Sequence, residues 1–253
     1  MSWLSTLEEL AGLQAAHRPA CLITDLESGS KILVPLDEPP APESPAAGLQ
    51  HLLERVRKSE RSTTAQEEGR ELCLHCFQPS PRLLIVGAVH IAQSLARFGA
   101  EAGYQVTIID PREAFADTVR FPGVEVLAEW PDEAMRRIGL HSRTAVVTLT
   151  HDPKLDDPAL EVALASNVFY IGALGSRKTH AARLERFRLA GFSEEQLARV
   201  HGPVGLNIGA VSPQEIALSI MAEITSVRRL GEGWSGARWE SDDPGAGIRG
   251  CCK

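Results

Sequence analysis

The stretch from residue 82 to residue 110, RLLIVGAVHIAQSLARFGAEAGYQVTIID, constrains the chain most, because it reads as strand, glycine turn, helix and a second strand ending in an acid. Residues 83–86 form a short, wholly apolar run of the kind buried on both faces of a parallel sheet, and Gly87 breaks it where the chain must turn. Ile91, Leu95, Phe98 and Ala102 then recur at steps of four, three and four, which places them on one face of a helix that Gly103 stops. Residues 106–109 supply the next strand. Asp110 follows Gly87 by 23 positions, about where nucleotide-binding βαβ units carry the acid that accepts from a ribose hydroxyl. One part of that fingerprint is altered: the turn reads Gly87-Ala88-Val89-His90, with a β-branched valine where a second glycine would let backbone approach a pyrophosphate. The unit therefore has two readings, a nucleotide site with restricted phosphate approach or the first βαβ of a domain that binds no nucleotide.

The alternation continues beyond Asp110. Residues 124–128 read as a strand, 132–138 as a helix, 144–149 (TAVVTL) as a strand, 158–166 as a helix capped by Asp157 with Pro158 in its first turn, and 168–171 as a fifth strand ended by Gly172. Five strands alternating with helices imply an α/β fold, a Rossmann-like doubly wound parallel sheet in the order 3-2-1-4-5. In such a sheet the ligand crevice opens at the carboxyl ends of strands 1 and 4, so the Gly87 turn should face Thr150-His151-Asp152-Pro153-Lys154. His151 and Asp152 have the chemistry to carry a proton, ligate a metal or orient a substrate there; the plainer reading is a capping or solvent-facing pair.

The loop after the fifth strand, Gly172-Ala173-Leu174-Gly175-Ser176-Arg177-Lys178, leads into a helix over 179–190 and is the best phosphate cradle in the sequence. Gly172 and Gly175 allow close backbone approach, a helix N-terminus offers N–H groups, and Ser176, Arg177 and Lys178 add hydrogen bonding and charge; the alternative is a turn whose charges are merely solvated. A short helix from Ser193 through residue 200 precedes the glycine-rich loop 201–210, which contains Asn207 and reads as a wall or lid over the crevice or as an ordinary connection. Ser212-Pro213-Gln214-Glu215 is a capping box opening a helix with Ile216, Ile220 and Ile224 on one face.

Upstream, residues 3–16 have an apolar pattern near helical period, and 20–24 and 31–34 read as two strands joined by a turn-rich segment. Residues 37–48, DEPPAPESPAAG, are proline-rich and acidic and read as an extended or disordered linker. A helix over 49–57 and the polar run KSERSTTAQEEGR follow. The whole is a small, thinly cored α+β module. Its one chemically loaded feature is Cys73-Leu74-His75-Cys76, which has three readings: part of a zinc site, a thiolate or persulfide carrier, or a plain strand with incidental cysteines. The expected division is residues 1–80 for this module, 81–230 for the Rossmann-like domain and 231–253 for a disordered tail.

Overall charge narrows the function classes. A net charge of −7 and a pI near 5.7 exclude a general nucleic-acid binder, although a local basic pocket for a small anion remains compatible. No apolar run approaches the ~18 residues of a membrane span, and the N-terminus lacks the basic start and apolar centre of a signal peptide, so the expected setting is cytoplasmic.

Taken together, RLLIVGAVHIAQSLA, IIDPREAF, TLTHDPKLDDPALEVAL, YIGALGSRKTHAARLERF and GLNIGAVSPQEIALSIMAEI resemble the Rossmann-like C-terminal domain of the XdhC/CoxI family, whose members are maturation factors for molybdenum hydroxylases such as xanthine dehydrogenase and carbon monoxide dehydrogenase. The resemblance covers roughly residues 80 to 230. It implies binding of the molybdenum cofactor (molybdopterin), help with its sulfuration by a cysteine desulfurase, and delivery to an apo molybdenum hydroxylase, in a maturation factor rather than an enzyme; a homodimer is compatible with it. The site it implies joins Gly87, Ala88, Val89, His90, Asp110 and Arg112 to the Gly172–Lys178 loop, His151, Asp152 and Asn207. Departures are Val89 for the usual glycine, Asn207 for the usual aspartate and a short N-terminal part. An NAD(P)-dependent oxidoreductase using the same crevice and a non-catalytic interaction scaffold are the rival readings.

Overall fold

The computed structural model describes residues 3–41, 43–44, 46–115 and 118–231, and the chain divides into two compact units, residues 1–79 and 80–253. The expected tail lies outside the described residues, apart from Gly231.

The first unit is a four-stranded antiparallel sheet with a helix on each face. Helix α1 (Trp3–Ala15) is followed by the hairpin β1 (Ala20–Asp25) and β2 (Lys31–Pro35), whose turn is held by Asp25 Oδ1 accepting from the N–H groups of Glu27 and Ser28. A single 3-10 turn (Ala47–Leu49) leads into α2 (Gln50–Ser59), then β3 (Thr63–Glu67) and β4 (Arg70–Phe77), in sheet order β2-β1-β4-β3. Alternation along β1 sorts the core. Ala20 and Leu22 meet Leu10 of α1, whereas Cys21 and Ile23 meet Leu52, Leu53 and Val56 of α2 together with Leu72 and Leu74 of β4.

Three expectations for this part need correction. The unit has a two-sided core rather than a thin one. Residues 63–67, within the polar run, form an edge strand, held by its ladder to β4 with no apolar alternation of its own. The acidic, proline-rich segment is docked at both ends: the Arg18 guanidinium donates to Asp37 at 2.6 and 3.0 Å, and Ala46 is buried.

The second unit is a parallel sheet flanked by helices. Its elements are β5 (Arg82–Val86), α3 (His90–Glu101), β6 (Gln105–Ile109), β7 (Glu125–Leu127), α4 (Pro131–Ile138), β8 (Thr144–Thr148), α5 (Pro153–Leu164), β9 (Tyr170–Ala173), α6 (Arg177–Leu189), α7 (Glu194–Leu197), β10 (Val200–His201) and α8 (Pro213–Leu230). The order β10-β9-β8-β5-β6-β7 is the expected 3-2-1-4-5 arrangement extended by a sixth strand of two residues, paired with Ile171 and Gly172, where the sequence suggested helix and loop. Ile85 and Val147 face α3 and α8 through a cluster containing Leu95, Ile216 and Ile220; Leu84 and Val146 face the opposite layer with Met135, Leu160 and Phe187. Burial on both faces is why these strands are unbroken apolar runs.

Helix α5 begins five residues earlier than expected. Asp152 is its N-cap, accepting from Lys154 N–H at 2.9 Å, and Pro153 takes the first helical position; Asp157 and Pro158 lie inside the helix. The repeated Asp-Pro pair in HDPKLDDP offers both starts, and the earlier one lets Leu155 and Leu160 reach the core. Gly172 sits within β9 rather than ending it, and α6 starts at Arg177 with Ser176 as its cap.

Candidate functional site

Strand β5 lies between β6 and β8, so the strand order reverses there and a crevice opens at the carboxyl ends. Gly87 makes the turn at φ +104°, a conformation L side chains rarely adopt, and an added Cβ would stand 2.6 Å from Thr150 Cγ2. The glycine turn and the segment after β8 are therefore in contact, as the topology predicted.

Asp110 closes the other side. It is fully buried, and its Oδ2 accepts from Ala88 N–H at 2.8 Å and from the Arg112 guanidinium at 2.7 Å, while Oδ1 accepts from Arg112 N–H at 3.0 Å and Nε at 2.8 Å. Burial works against its ionisation, but the Arg112 guanidinium and the two backbone N–H groups outweigh it and hold the carboxyl below the ordinary carboxylate range. Both oxygens are thus engaged within the protein. The ribose-binding role expected of this acid has no acceptor set aside for it. Arg112 in turn stacks over Phe115, with its guanidinium carbon 4.2 Å from the ring centroid.

Val89 is the extended N-cap of α3, gives no side-chain cap and packs its side chain against the core cluster; His90 is exposed. The β-branched residue is turned to the core, so the first turn of α3 keeps its uncapped N–H groups at the crevice.

The segment 150–152 is organised by Asp156, a residue the sequence reading missed. Asp156 is fully buried one turn into α5, and its carboxylate accepts from Thr150 Oγ1 at 2.6 Å, Thr150 N–H at 3.3 Å and His151 N–H at 3.1 Å. Burial pushes this carboxyl up to about 6, partly offset by Thr150 and by Arg183. The available signal was the helix start itself: with Asp152 as cap, position 156 is the first-turn residue whose side chain leans back toward the preceding loop. His151 is held at φ +62°, and its pKa is lowered by burial and by Arg183. Asp152 acts as a helix cap.

Arg183 joins this loop to the next. It is buried, donates to Leu174 O at 3.2 Å and stands 3.6 Å from Asp156 Oδ2, with its Nε 3.8 Å from Asp157 Oδ1; among the described residues its Nε and Nη1 have no hydrogen-bond partner. Thr148 Oγ1, at the end of β8, is likewise buried with no hydrogen-bond partner among the described residues. In the Gly172–Lys178 loop, an added Cβ at Gly172 would lie 2.6 Å from Val204 Cγ2, and Gly175 adopts φ +151° against Thr179. The Ser176 hydroxyl accepts from Thr179 N–H at 3.1 Å, so this helix start is capped by its own chain, with Arg177 half-buried and Lys178 exposed at its rim. Asn207 is exposed in the glycine-rich loop. That loop is anchored by Glu223, whose carboxylate accepts from Tyr170 Oη at 2.5 Å and Gly205 N–H at 2.8 Å and meets His201 Nδ1 at 3.1 Å.

The structure does not unite the CxxC cysteines. Cys73 and Cys76 lie in β4 three residues apart, so their side chains leave opposite faces of the sheet and cannot share a metal ion. Among the described residues no group of three or more His, Cys, Asp or Glu is placed to hold one. A cavity of about 450 Å³, lined by Arg82, Tyr104, Gln105, Thr107, Glu125 and Ile138, opens at the amino ends of β5 and β6. The opposite edge of the sheet carries the Gly87 turn and the N-terminus of α3.

A doubly wound parallel sheet with a glycine turn leading into an uncapped helix start defines a Rossmann-type domain. The chain belongs to the XdhC family, the profile of whose Rossmann domain matches residues 83–224. It is 34% identical over 152 residues to the molybdenum cofactor insertion chaperone PaoD of Escherichia coli (strain K12), covering 60% of this chain and 42% of that protein. It is 30% identical over 164 residues to a probable xanthine dehydrogenase subunit of Bacillus subtilis (strain 168), covering 64% and 48% respectively. The chain thus spans less than half the length of these relatives. The crystal structure of a xanthine dehydrogenase from Bacillus halodurans shares the fold, with a TM-score of 0.64 at 22% identity over 95% of this chain and 66% of that one. No helix among the described residues is long and apolar enough to cross a membrane.

Proposed function

We propose that the protein is a maturation factor that binds the molybdenum cofactor as cargo, protects it during sulfuration by a cysteine desulfurase, and delivers it to an apo molybdenum hydroxylase. The observation that carries this reading is the match to a molybdenum cofactor insertion chaperone across the domain that holds the crevice. The residues at the crevice fit a pterin phosphate. The uncapped first turn of α3 offers N–H groups to an anion, and Val89 does not intrude because its side chain packs on the core. Arg177 and Lys178 bring charge to the rim at the first turn of α6, and His151, presented on a loop locked by Asp156, lies where it would meet the polar edge of the cargo. The role is binding and orientation, with no turnover required. The engaged carboxylate of Asp110 speaks against a nicotinamide dinucleotide, whose ribose would need it.

The test is maturation of a molybdenum hydroxylase in cells carrying Arg177→Ala with Lys178→Ala. Client activity should fall while the protein's abundance and the client's abundance hold. Unchanged client activity would remove the anion-binding role of this loop.

A further inference from the structure

The N-terminal unit carries a pair of thiols that the cofactor role does not use. Cys21 in β1 lies directly across from Cys76 in β4. The register is the non-hydrogen-bonded kind. Along a strand the N–H and C=O of one residue point to the same side and alternate from residue to residue. Cys76 N–H donates to Ser62 Oγ, beyond β4 on the β3 side, at 3.0 Å. On β1, Asp25 N–H reaches Ser30 O on the β2 side and Leu26 N–H reaches Glu71 O on the β4 side, so the odd-numbered Cys21 faces β2. At such a position the Cα atoms are about 4.5 Å apart and the side chains are at their closest, inside the roughly 4.4–6.8 Å that a disulfide spans. Opposed residues share a face, and both thiols meet one apolar cluster, Cys21 fully buried within it and Cys76 packed against it at the rim. Cys73 is on the other face.

We propose that Cys21 and Cys76 are a redox-active dithiol that closes to a cross-strand disulfide when a small-molecule disulfide of the glutathione type reaches the partly exposed Cys76. The Gln78 side-chain amide donates to Cys76 Sγ at 3.4 Å, beside the exposed rim where the small disulfide would arrive. Cys76 attacks one sulfur of the small disulfide, forming a mixed disulfide and releasing one thiol. Cys21 then attacks Cys76 Sγ, forming the intramolecular bond and releasing the second. The protein gives up two electrons and two thiol protons, and the small disulfide takes them as two thiols. Burial pushes the Cys21 thiol up to about 12, so the closure step quickens as pH rises.

The experiment treats the reduced full chain with oxidised glutathione, quenches with acid, alkylates remaining thiols in denaturant and maps the peptides by mass spectrometry. A linked Cys21–Cys76 peptide that dithiothreitol abolishes is expected in the wild type and in Cys73→Ser, while Cys21→Ser should stop at a glutathione adduct on Cys76. Full alkylation of Cys21 when Cys76 is oxidised, or linkage of Cys76 to Cys73, Cys251 or Cys252, would overturn the proposal. The wild-type arm decides even if a variant fails to fold.

Discussion

The Asp110 carboxylate accepts a hydrogen bond from the Ala88 N–H at 2.8 Å, tying the end of β6 to the turn that follows β5. In a dinucleotide site both groups would face the ligand. Here they face each other, with Arg112 completing the arrangement, so the switch point is braced from within.

Asp110→Ala should therefore destabilise the protein. It leaves the buried Ala88 N–H unpaired, a loss of about 1–3 kcal/mol, with a smaller share from the ion pair because the Arg112 side chain is 38% exposed. The folded-state pKa of Asp110 is depressed, so its stabilising effect is present above the unfolded carboxylate pKa and lost as pH falls through the folded value. Urea unfolding at neutral and acid pH checks both points: the wild-type advantage should shrink on acidification.

Asp156 has the opposite sign. Its folded pKa is raised to about 6, so its contribution is greatest below the unfolded value near 3.8 and declines as pH rises through about 6. The rise makes the ionised form roughly 3 kcal/mol costlier in the folded state, an upper figure for a buried carboxyl. Asp156→Asn removes that titration and one acceptor for the 150–151 backbone. Relative to wild type, the variant should gain stability as pH rises from about 4 to about 6, measured by denaturant midpoints; parallel pH curves would contradict the assignment.

Gly87→Ala places a side chain at φ +104° and 2.6 Å from Thr150 Cγ2. Backbone strain and overpacking of this kind each cost about 1–3 kcal/mol. Adding Thr150→Ser, which deletes the clashing methyl and keeps the hydroxyl bonded to Asp156, should restore the packing part and leave the backbone part. A double-mutant cycle on thermal midpoints separates the two.

Glu223→Ala strips the acceptor from Tyr170, Gly205 and His201 at once, and loss of such a buried cluster is expected to cost on the order of 3 kcal/mol or more. Because Gly205 anchors the loop carrying Asn207, amide exchange should rise first in residues 202–210, ahead of the sheet. Uniform loosening would show that the cluster serves the core alone.

The parallel sheet was legible because strands buried on both faces are apolar runs, and the glycine turn and capping box announce their own geometry. Strand β3 was hidden, since an edge strand of sequence TTAQE carries no apolar alternation. Strand β10 was hidden because two residues have no period. The site was half legible. Its place followed from the order of the strands, but the roles of Asp110 and Asp156 depend on which donors the fold brings to each carboxylate, and no spacing rule supplies Arg183 across from Asp156. Of the three readings of the CxxC motif, shared metal ligation fails for a geometric reason: on a strand, a three-residue step changes face.

If the crevice of this XdhC-family domain holds the molybdenum cofactor, the cofactor should come away with the purified protein. The most direct measurement is mass spectrometry of the small molecule released from full-length protein purified from cells that make the cofactor. A pterin phosphate, with or without an attached nucleotide, is the expected result, and it should be depleted in Arg177→Ala/Lys178→Ala protein of unchanged stability. Protein that emerges without pterin and does not take it up on incubation with molybdopterin, or that carries a nicotinamide dinucleotide instead, would show that the crevice holds something else.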